Sequence, residues 1–214
     1  MPAKVLYIGN SYTYYHRMPG TVAAMARTEA SPRELHAKVV AVPSATLQRH
    51  WESGAAQSAI HERKWNYVVL QEQSVLPLEQ KERMYEHVRL LDKEIKLNGA
   101  RTVLFITWAR RDRPETQAML NAAYGAIAEE LGALVAPVGP AWQIARQRAP
   151  DLQLHEEDGS HPTPEGSYLT ACVLYMTLQP AESQCPAPQS GAAVIQAVET
   201  LRNAASSALA TQRR

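Results

Sequence analysis

The chain has 214 residues, 45% of them hydrophobic and 20% charged, with a formal net charge of +1. That length can bury a full core as one α/β domain, while the balanced charge excludes a nucleic-acid surface or a charged interaction tail. No apolar stretch approaches the ~20 residues needed to cross a bilayer, and Cys172 and Cys185 are too few for a disulfide scaffold and too far apart for a close metal pair.

Strand and helix signals alternate along the chain. Met1-Pro-Ala-Lys4 leads at once into a β-rich run, Lys4-Val-Leu-Tyr-Ile, which meets a Gly9-Asn10-Ser11 turn. No signal peptide is therefore expected, and cytoplasm is the default compartment, with a secreted or periplasmic location left for a trimmed chain. Pro19 to Arg27 reads as helix, with Pro19 tolerated in a first turn. Leu35 to Val42 reads as a second strand, and Thr46 to Glu62 as a weakly patterned helix interrupted by Gly54. Asn66 to Leu70 is a third strand. The helix from about Pro77 to Leu97 repeats Met84, Val88, Leu91 and Ile95 at spacings of four and three, and Asn98-Gly99 stops it. Thr102 to Thr107 is a fourth strand, Glu115 to Leu131 a helix, Leu134 to Ala136 a short fifth strand and Trp142 to Arg148 a helix. A polar loop from Pro150 to Pro162 precedes a helix from Pro164 to Leu178. Glu182 to Ser190 reads as a linker, and an Ala-rich helix at about 191–209, with Val194, Ile195, Val198 and Leu201 on one side, either covers the sheet or joins a dimer contact. Five strands each followed by helix predict a single three-layer α/β/α, flavodoxin-like domain with a mostly parallel sheet, its core at about 4–178.

Two stretches carry chemistry. A hydroxyl where a buried strand gives way to helix stands at the carboxyl edge of the sheet, where open α/β sheets keep their ligands. Gly9 permits a tight or left-handed turn there. Ser11 alone fits a turn or cap residue as well as a nucleophile. Near the other end, Asp158-Gly-Ser-His161-Pro places a carboxylate three residues before a histidine. Serine is a poor nucleophile at neutral pH and needs a base to take its proton. A carboxylate behind that base fixes its tautomer and stabilises the imidazolium. Ser11, His161 and Asp158 suit those three roles, and Pro162 and Pro164 stiffen the loop. An ordinary turn, or a metal site from Asp158, His161 and His155 or Asp151, is the alternative.

Gly9-Asn10-Ser11 and Asp158-Gly-Ser-His161-Pro resemble the first and last sequence blocks of the SGNH (GDSL-like) hydrolases. Trp65-Asn-Tyr-Val-Val-Leu-Gln-Glu-Gln-Ser74, with Thr107-Trp108, is similar to a little-characterised branch of that superfamily, and the likeness runs from about Lys4 to Met176. The resemblance implies a serine esterase with Ser11 as nucleophile, His161 as base and Asp158 behind it. It implies an oxyanion hole from the Ser11 N–H, a backbone N–H after the second strand and a side-chain amide after the third. The usual glycine of the second position is replaced by Pro43-Ser44-Ala45-Thr46, leaving Ser44 or Ala45 as donor. The usual asparagine of the third is absent, leaving Gln71 or Gln73, with Gln73 preferred. Asn10 stands where many relatives have aspartate.

Tyr12, Tyr14, Tyr15, His16 and Trp108 are candidate pocket walls, and Arg110, Arg111 and Arg113 either meet an anionic substrate or form solvated surface. Glu72 either approaches His161 or pairs with Arg110 or Arg111. The expected substrate is a small-molecule or carbohydrate ester, foremost an O-acetyl group on a sugar, and neither metal nor organic cofactor is required. No nucleic-acid or membrane partner is expected, and the chain is a monomer or homodimer. The alternatives are a catalytically weak or inactive carbohydrate-binding or ligand-binding protein on a hydrolase fold, and a lipase or thioesterase. A flavodoxin-type nucleotide site lacks its Gly-rich phosphate loop.

Overall fold

The run from Val5 to Gly9 is buried throughout, as a strand flanked on both sides and covered on both faces must be. A computed structural model describes residues 2–28, 34–179, 183–188 and 197–212. In it β1 (Ala3–Gly9) pairs in parallel with β2 (Leu35–Ala41) on one side and β3 (Tyr67–Leu70) on the other. β4 (Arg101–Phe105) and β5 (Leu134–Ala136) complete an all-parallel sheet of order β2-β1-β3-β4-β5. The chain leaves β1 in one direction and returns on its other side, so the strand order reverses beside β1. That switch point opens a crevice at the carboxyl ends of β1 and β3.

Ten helices are described: α1 (Ser11–Tyr14), α2 (Met18–Ala26), α3 (Leu47–Glu52), α4 (Ala55–His61), α5 (Leu76–Glu79), α6 (Lys81–Asn98), α7 (Gln117–Leu131), α8 (Val138–Arg148), α9 (Pro164–Leu178) and α10 (Val198–Gln212). Alternate strand residues face opposite layers. Val5, Tyr7, Val69, Val103 and Phe105 meet α2, α8 and α9, whereas Leu6, Ile8, Val68, Leu70 and Leu104 meet α3, α4 and α6. The three-layer α/β/α sandwich expected from the sequence is therefore the observed fold.

Several boundaries differ. The helix expected over Thr46 to Glu62 is two, because Gly54 turns left-handed at φ 73° and restarts the chain. The Pro77 to Leu97 helix is also two, broken where Gln80 adopts φ −141°, ψ 54°. α1 immediately after Asn10 was not expected at all. α10 buries Leu201, Ala204, Ala205, Ala208 and Leu209 against α8 and α9 of its own chain. Val194 and Ile195 lie outside the described residues, as do parts of the expected linker.

Cys172 of α9 and Cys185 form a single disulfide across a sequence separation of 13, a pairing the sequence does not signal. Their spacing carries no motif; the chain simply doubles back after α9. The bond pins the 183–188 segment, which Tyr168 Oη also holds through Pro186 O at 2.7 Å and Arg202 Nε through Cys185 O at 2.6 Å. Disulfides persist mainly in oxidising compartments, which weighs against the cytoplasmic default. Closing a loop of this length stabilises a fold by about 3 kcal/mol. Urea unfolding with and without dithiothreitol should show a loss of that order, reproduced by the C172S/C185S variant. An unchanged midpoint on reduction would contradict the clamp.

Candidate active site

The nucleophile turn is built around a buried carboxamide. Gln71, at the end of β3 and fully buried, accepts the Asn10 N–H at 2.9 Å and the Thr13 hydroxyl at 2.9 Å on its Oε1. The Asn10 N–H can only donate, which fixes the orientation of the amide; Nε2 then donates to Glu72 O at 2.5 Å. Gly9 is needed for space rather than for a left-handed backbone. A Cβ there would lie 2.4 Å from Thr13 Oγ1 and 2.6 Å from Gln71 Oε1. Asn10 caps α1, accepting the Tyr12 N–H at 3.1 Å, and its Nδ2 donates to Ala45 O at 3.0 Å. That donation needs an amide, since an aspartate would face the carbonyl with a second acceptor.

Ser11 is the first residue of α1, so its side chain leaves the sheet edge at the crevice. Its Oγ lies 2.9 Å from His161 Nε2, across 150 residues of sequence. The other imidazole nitrogen, Nδ1, meets Asp158 Oδ2. A carboxylate only accepts, so Nδ1 carries the proton and Nε2 presents its lone pair to the Ser11 hydroxyl. Asp158 Oδ1 accepts the Ser160 and His161 N–H groups, each at 2.9 Å. Burial pushes the Asp158 carboxyl up, but the His161 imidazole and these two N–H groups outweigh it and bring its pKa down to about 2.

The His161 loop is tethered at many points. Glu156 N donates to His161 O at 2.8 Å, Thr163 N to Leu154 O at 2.9 Å, and Arg111 N to Gly159 O at 2.9 Å. The His16 ring donates to Pro162 O at 3.0 Å. Tyr15 stacks on the His161 ring with centroids 4.4 Å apart, and Tyr12 meets it edge-on. Tyr12 also shares a 2.6 Å hydrogen bond with Ser160 Oγ, and Trp108 Nε1 donates to Ser160 O at 2.9 Å. Tyr12, Trp108 and Trp142 form one stack, at 4.3 and 4.0 Å. Trp108 is only 1% exposed; it supports the histidine loop, and the cavity it lines with Trp142 is not lined by Ser11 or His161. Tyr14 is half-buried and tilts against Tyr15. Tyr15 and Ser160 are the residues that sequence reading underrated. Only their adjacency to Ser11 and His161 pointed to them.

The candidate oxyanion donors separate clearly. Ala45 N is bonded to Val42 O at 3.1 Å, closing a turn in which Ser44 takes φ 56°. Ser44 thus adopts the left-handed backbone that a glycine would favour, and its N–H makes no hydrogen bond among the described residues. The Gln71 amide is engaged and buried, which removes it as a donor. Gln73 accepts the Val75 and Leu76 N–H groups on Oε1 at 2.9 and 3.0 Å, leaving Nε2 without a partner among the described residues. Ser11 N–H, first in its helix, is likewise unbonded. These three groups stand at the carboxyl ends of three neighbouring strands.

His155 does not join Asp158 and His161. It is buried edge-on to Trp142, with its ring N–H on Ala109 O at 3.0 Å, and burial lowers its pKa to about 4. Among the described residues no three His, Cys, Asp or Glu side chains converge as metal ligands, so the alternative ligand set with Asp151 is not assembled. A cavity of about 310 Å³ beneath Trp108 and Trp142 and a groove of about 600 Å³ between α2 and α9 flank the site, and neither is lined by Ser11 or His161.

No family model and no curated protein matches the chain. Among solved structures it is similar to a protein provisionally described as an SGNH hydrolase from Slackia heliotrinireducens. The two share 28% identity, with 84% of this chain and 100% of that one covered and a TM-score of 0.72. A DUF4886 family protein from Bacteroides uniformis matches at 18% identity over 100% and 97% of the two chains, TM-score 0.81. An acetylxylan esterase from Geobacillus stearothermophilus matches at 15% over 82% and 94%, TM-score 0.68. With these neighbours the chain shares a three-layer α/β/α sandwich fold. That fold is the one found in SGNH (GDSL-like) hydrolases, to which the chain is similar.

Glu72 bonds to neither His161 nor Arg110 or Arg111. Fully buried, it accepts Leu47 N at 3.1 Å and Gln73 N at 2.6 Å on Oε1, joining the loops after β2 and β3. Burial pushes its carboxyl up to about 7, against the opposing pull of the Gln73 and Leu47 N–H groups and of Arg83. Between the ordinary carboxylate range and that value the folded chain keeps a proton that the unfolded chain has lost. Stability contributed below this window is therefore lost as pH rises through it. Relative to E72Q, wild-type stability should decline by up to about 3 kcal/mol between about pH 4 and pH 8. Parallel pH profiles from denaturant unfolding would refute this.

Proposed function

We propose that the protein is a serine esterase that cleaves small carboxylic esters through an acyl-enzyme. The observation that carries the reading is the 2.9 Å contact of Ser11 Oγ with His161 Nε2, with Asp158 on the opposite nitrogen. His161 takes the Ser11 proton as Oγ attacks the ester carbonyl. The oxyanion of the tetrahedral intermediate is received by the N–H groups of Ser11 and Ser44 and by Gln73 Nε2. His161 then protonates the departing alcohol. The same ring activates a water that releases the acid and restores Ser11. Asp158 stays ionised far below neutrality and stabilises the imidazolium at each step.

The site is shallow: the side chains of His161 and Asp158 are 29% and 48% exposed. An ester carried on a bulky carbohydrate can reach such a shelf, and O-acetyl sugars are the preferred substrate class. The likeness to an acetylxylan esterase supports that choice. The lipase and thioesterase readings need a long acyl site at the nucleophile, and the groove between α2 and α9 is not lined by Ser11.

Hydrolysis of p-nitrophenyl acetate and butyrate should be abolished by S11A and H161A, and an organophosphonate should add once to wild type and not to S11A, by intact mass. Turnover that survives S11A would refute the nucleophile. Removing one oxyanion donor costs about 3 kcal/mol, roughly a hundredfold in kcat. Q73A should show that loss with KM little changed, and full activity in Q73A would exclude Gln73 from the oxyanion hole.

A further inference from the structure

Three arginines follow Trp108, and the structure gives them different surroundings. Arg111 belongs to the histidine loop, its Nη2 donating to Glu157 O at 2.6 Å. Arg113 is exposed. Arg110 is half-buried and has no carboxylate within ion-pair distance among the described residues. Its side chain makes one long hydrogen bond, Nη2 to Ser74 Oγ at 3.4 Å, and its Nε is shielded from water without any acceptor.

A guanidinium carries five N–H donors and is never neutral in a protein. Holding one partly out of water with its donors unused costs free energy that an incoming anion would recover. Its position tells where that anion would lie. Ser74 follows Gln73, the proposed oxyanion donor, and both Ser74 and the Arg110 charge bear on the Tyr12 hydroxyl. That hydroxyl shares its 2.6 Å bond with Ser160, the residue before His161. Arg110 thus stands at the rim of the crevice, on the side where the loops after β3 and β4 meet the histidine loop.

We propose that Arg110 selects substrates by binding a carboxylate on the ester, so that the site prefers monoanionic esters to neutral ones. This deepens the esterase reading and rests on it. A single planar fork matches the two oxygens of one carboxylate, whereas a phosphate dianion would call for further cations. The carboxylate comes either from the acyl group, as in a half-ester of a dicarboxylic acid, or from the alcohol, as in an O-acetylated uronic acid.

Two matched pairs distinguish these sources: mono-p-nitrophenyl glutarate against p-nitrophenyl butyrate, and an O-acetylated methyl galacturonoside against its methyl ester. In at least one pair wild type should favour the charged member in kcat/KM by about tenfold or more, and R110Q should erase that ratio. R110K should restore it only in part, while R113Q keeps the wild-type ratio. A merely structural role for Arg110 would lower both members of a pair alike, and an unchanged ratio overturns the proposal. So does a wild-type enzyme without charge preference. Calorimetric titration of S11A with sodium glutarate and sodium galacturonate needs no turnover. Weaker binding of one of them by S11A/R110Q supports the carboxylate site even if no ester is hydrolysed, and equal or absent binding of both overturns it. Loss of the esterase reading shows separately, as hydrolysis that does not depend on Ser11.

Discussion

The carboxamide of Gln71 is the interaction on which the site depends. It occupies the corner where β1 ends, receives the N–H that precedes the nucleophile and the hydroxyl of Thr13, and fills the space a side chain at position 9 would need. Three consequences follow from one buried group: Gly9 must lack a Cβ, α1 must start at Ser11, and the Ser11 side chain must leave the sheet toward the crevice. A reacting atom displaced by about 1 Å can cost a hundredfold in rate. A rigid, fully satisfied polar group beneath the nucleophile is therefore worth more to the site than another apolar contact.

The second half of the site is held by different forces. The histidine loop carries little regular structure, and it is fixed by backbone hydrogen bonds to its neighbours and by an aromatic stack of Tyr12, Trp108 and Trp142 beneath it. Tyr15 closes over the imidazole face. Apolar rings limit the tilt of His161, while Asp158 sets which nitrogen bears the proton. Asp158 itself is compensated by two N–H groups and the imidazole, so its charge persists at the rim without a lysine or arginine partner among the described residues.

The sheet, its order of elements and the pairing of Asp158 with His161 are legible because each rests on local signals. Continuous apolar runs marked β1, β3 and β4; Gly99 and Gly132 marked helix ends; Asp158 and His161 lie close enough in sequence to meet on one loop. The reading failed where the decisive contact is distant in sequence. Gln71 and Gln73 both stand after β3 as candidate donors, with Gln73 preferred, and the burial of Gln71 against Asn10 and Thr13 carries no sequence signature. Trp108 is stacked between Trp142 and Tyr12 and lines a cavity beside the site that Ser11 and His161 do not line. Ala45 and Ser44 are equivalent in the sequence; in the fold a turn closes through Ala45 N and leaves the Ser44 N–H without a partner among the described residues.

The sequence by itself determined the alternation of strand and helix, the hydroxyl at the end of the first strand, and an acid and a base on a stiff loop. These follow from periodicity, side-chain chemistry and short spacing, all of which are properties of neighbouring residues. Only the tertiary structure decided that Ser11 and His161 meet, that Cys172 reaches Cys185, and that Gln73 rather than Gln71, together with the half-buried Arg110, keeps open donors among the described residues. Those outcomes depend on which polar groups find partners when distant segments pack. Partner choice is settled by the whole fold because every buried donor and acceptor competes for the same few counterparts.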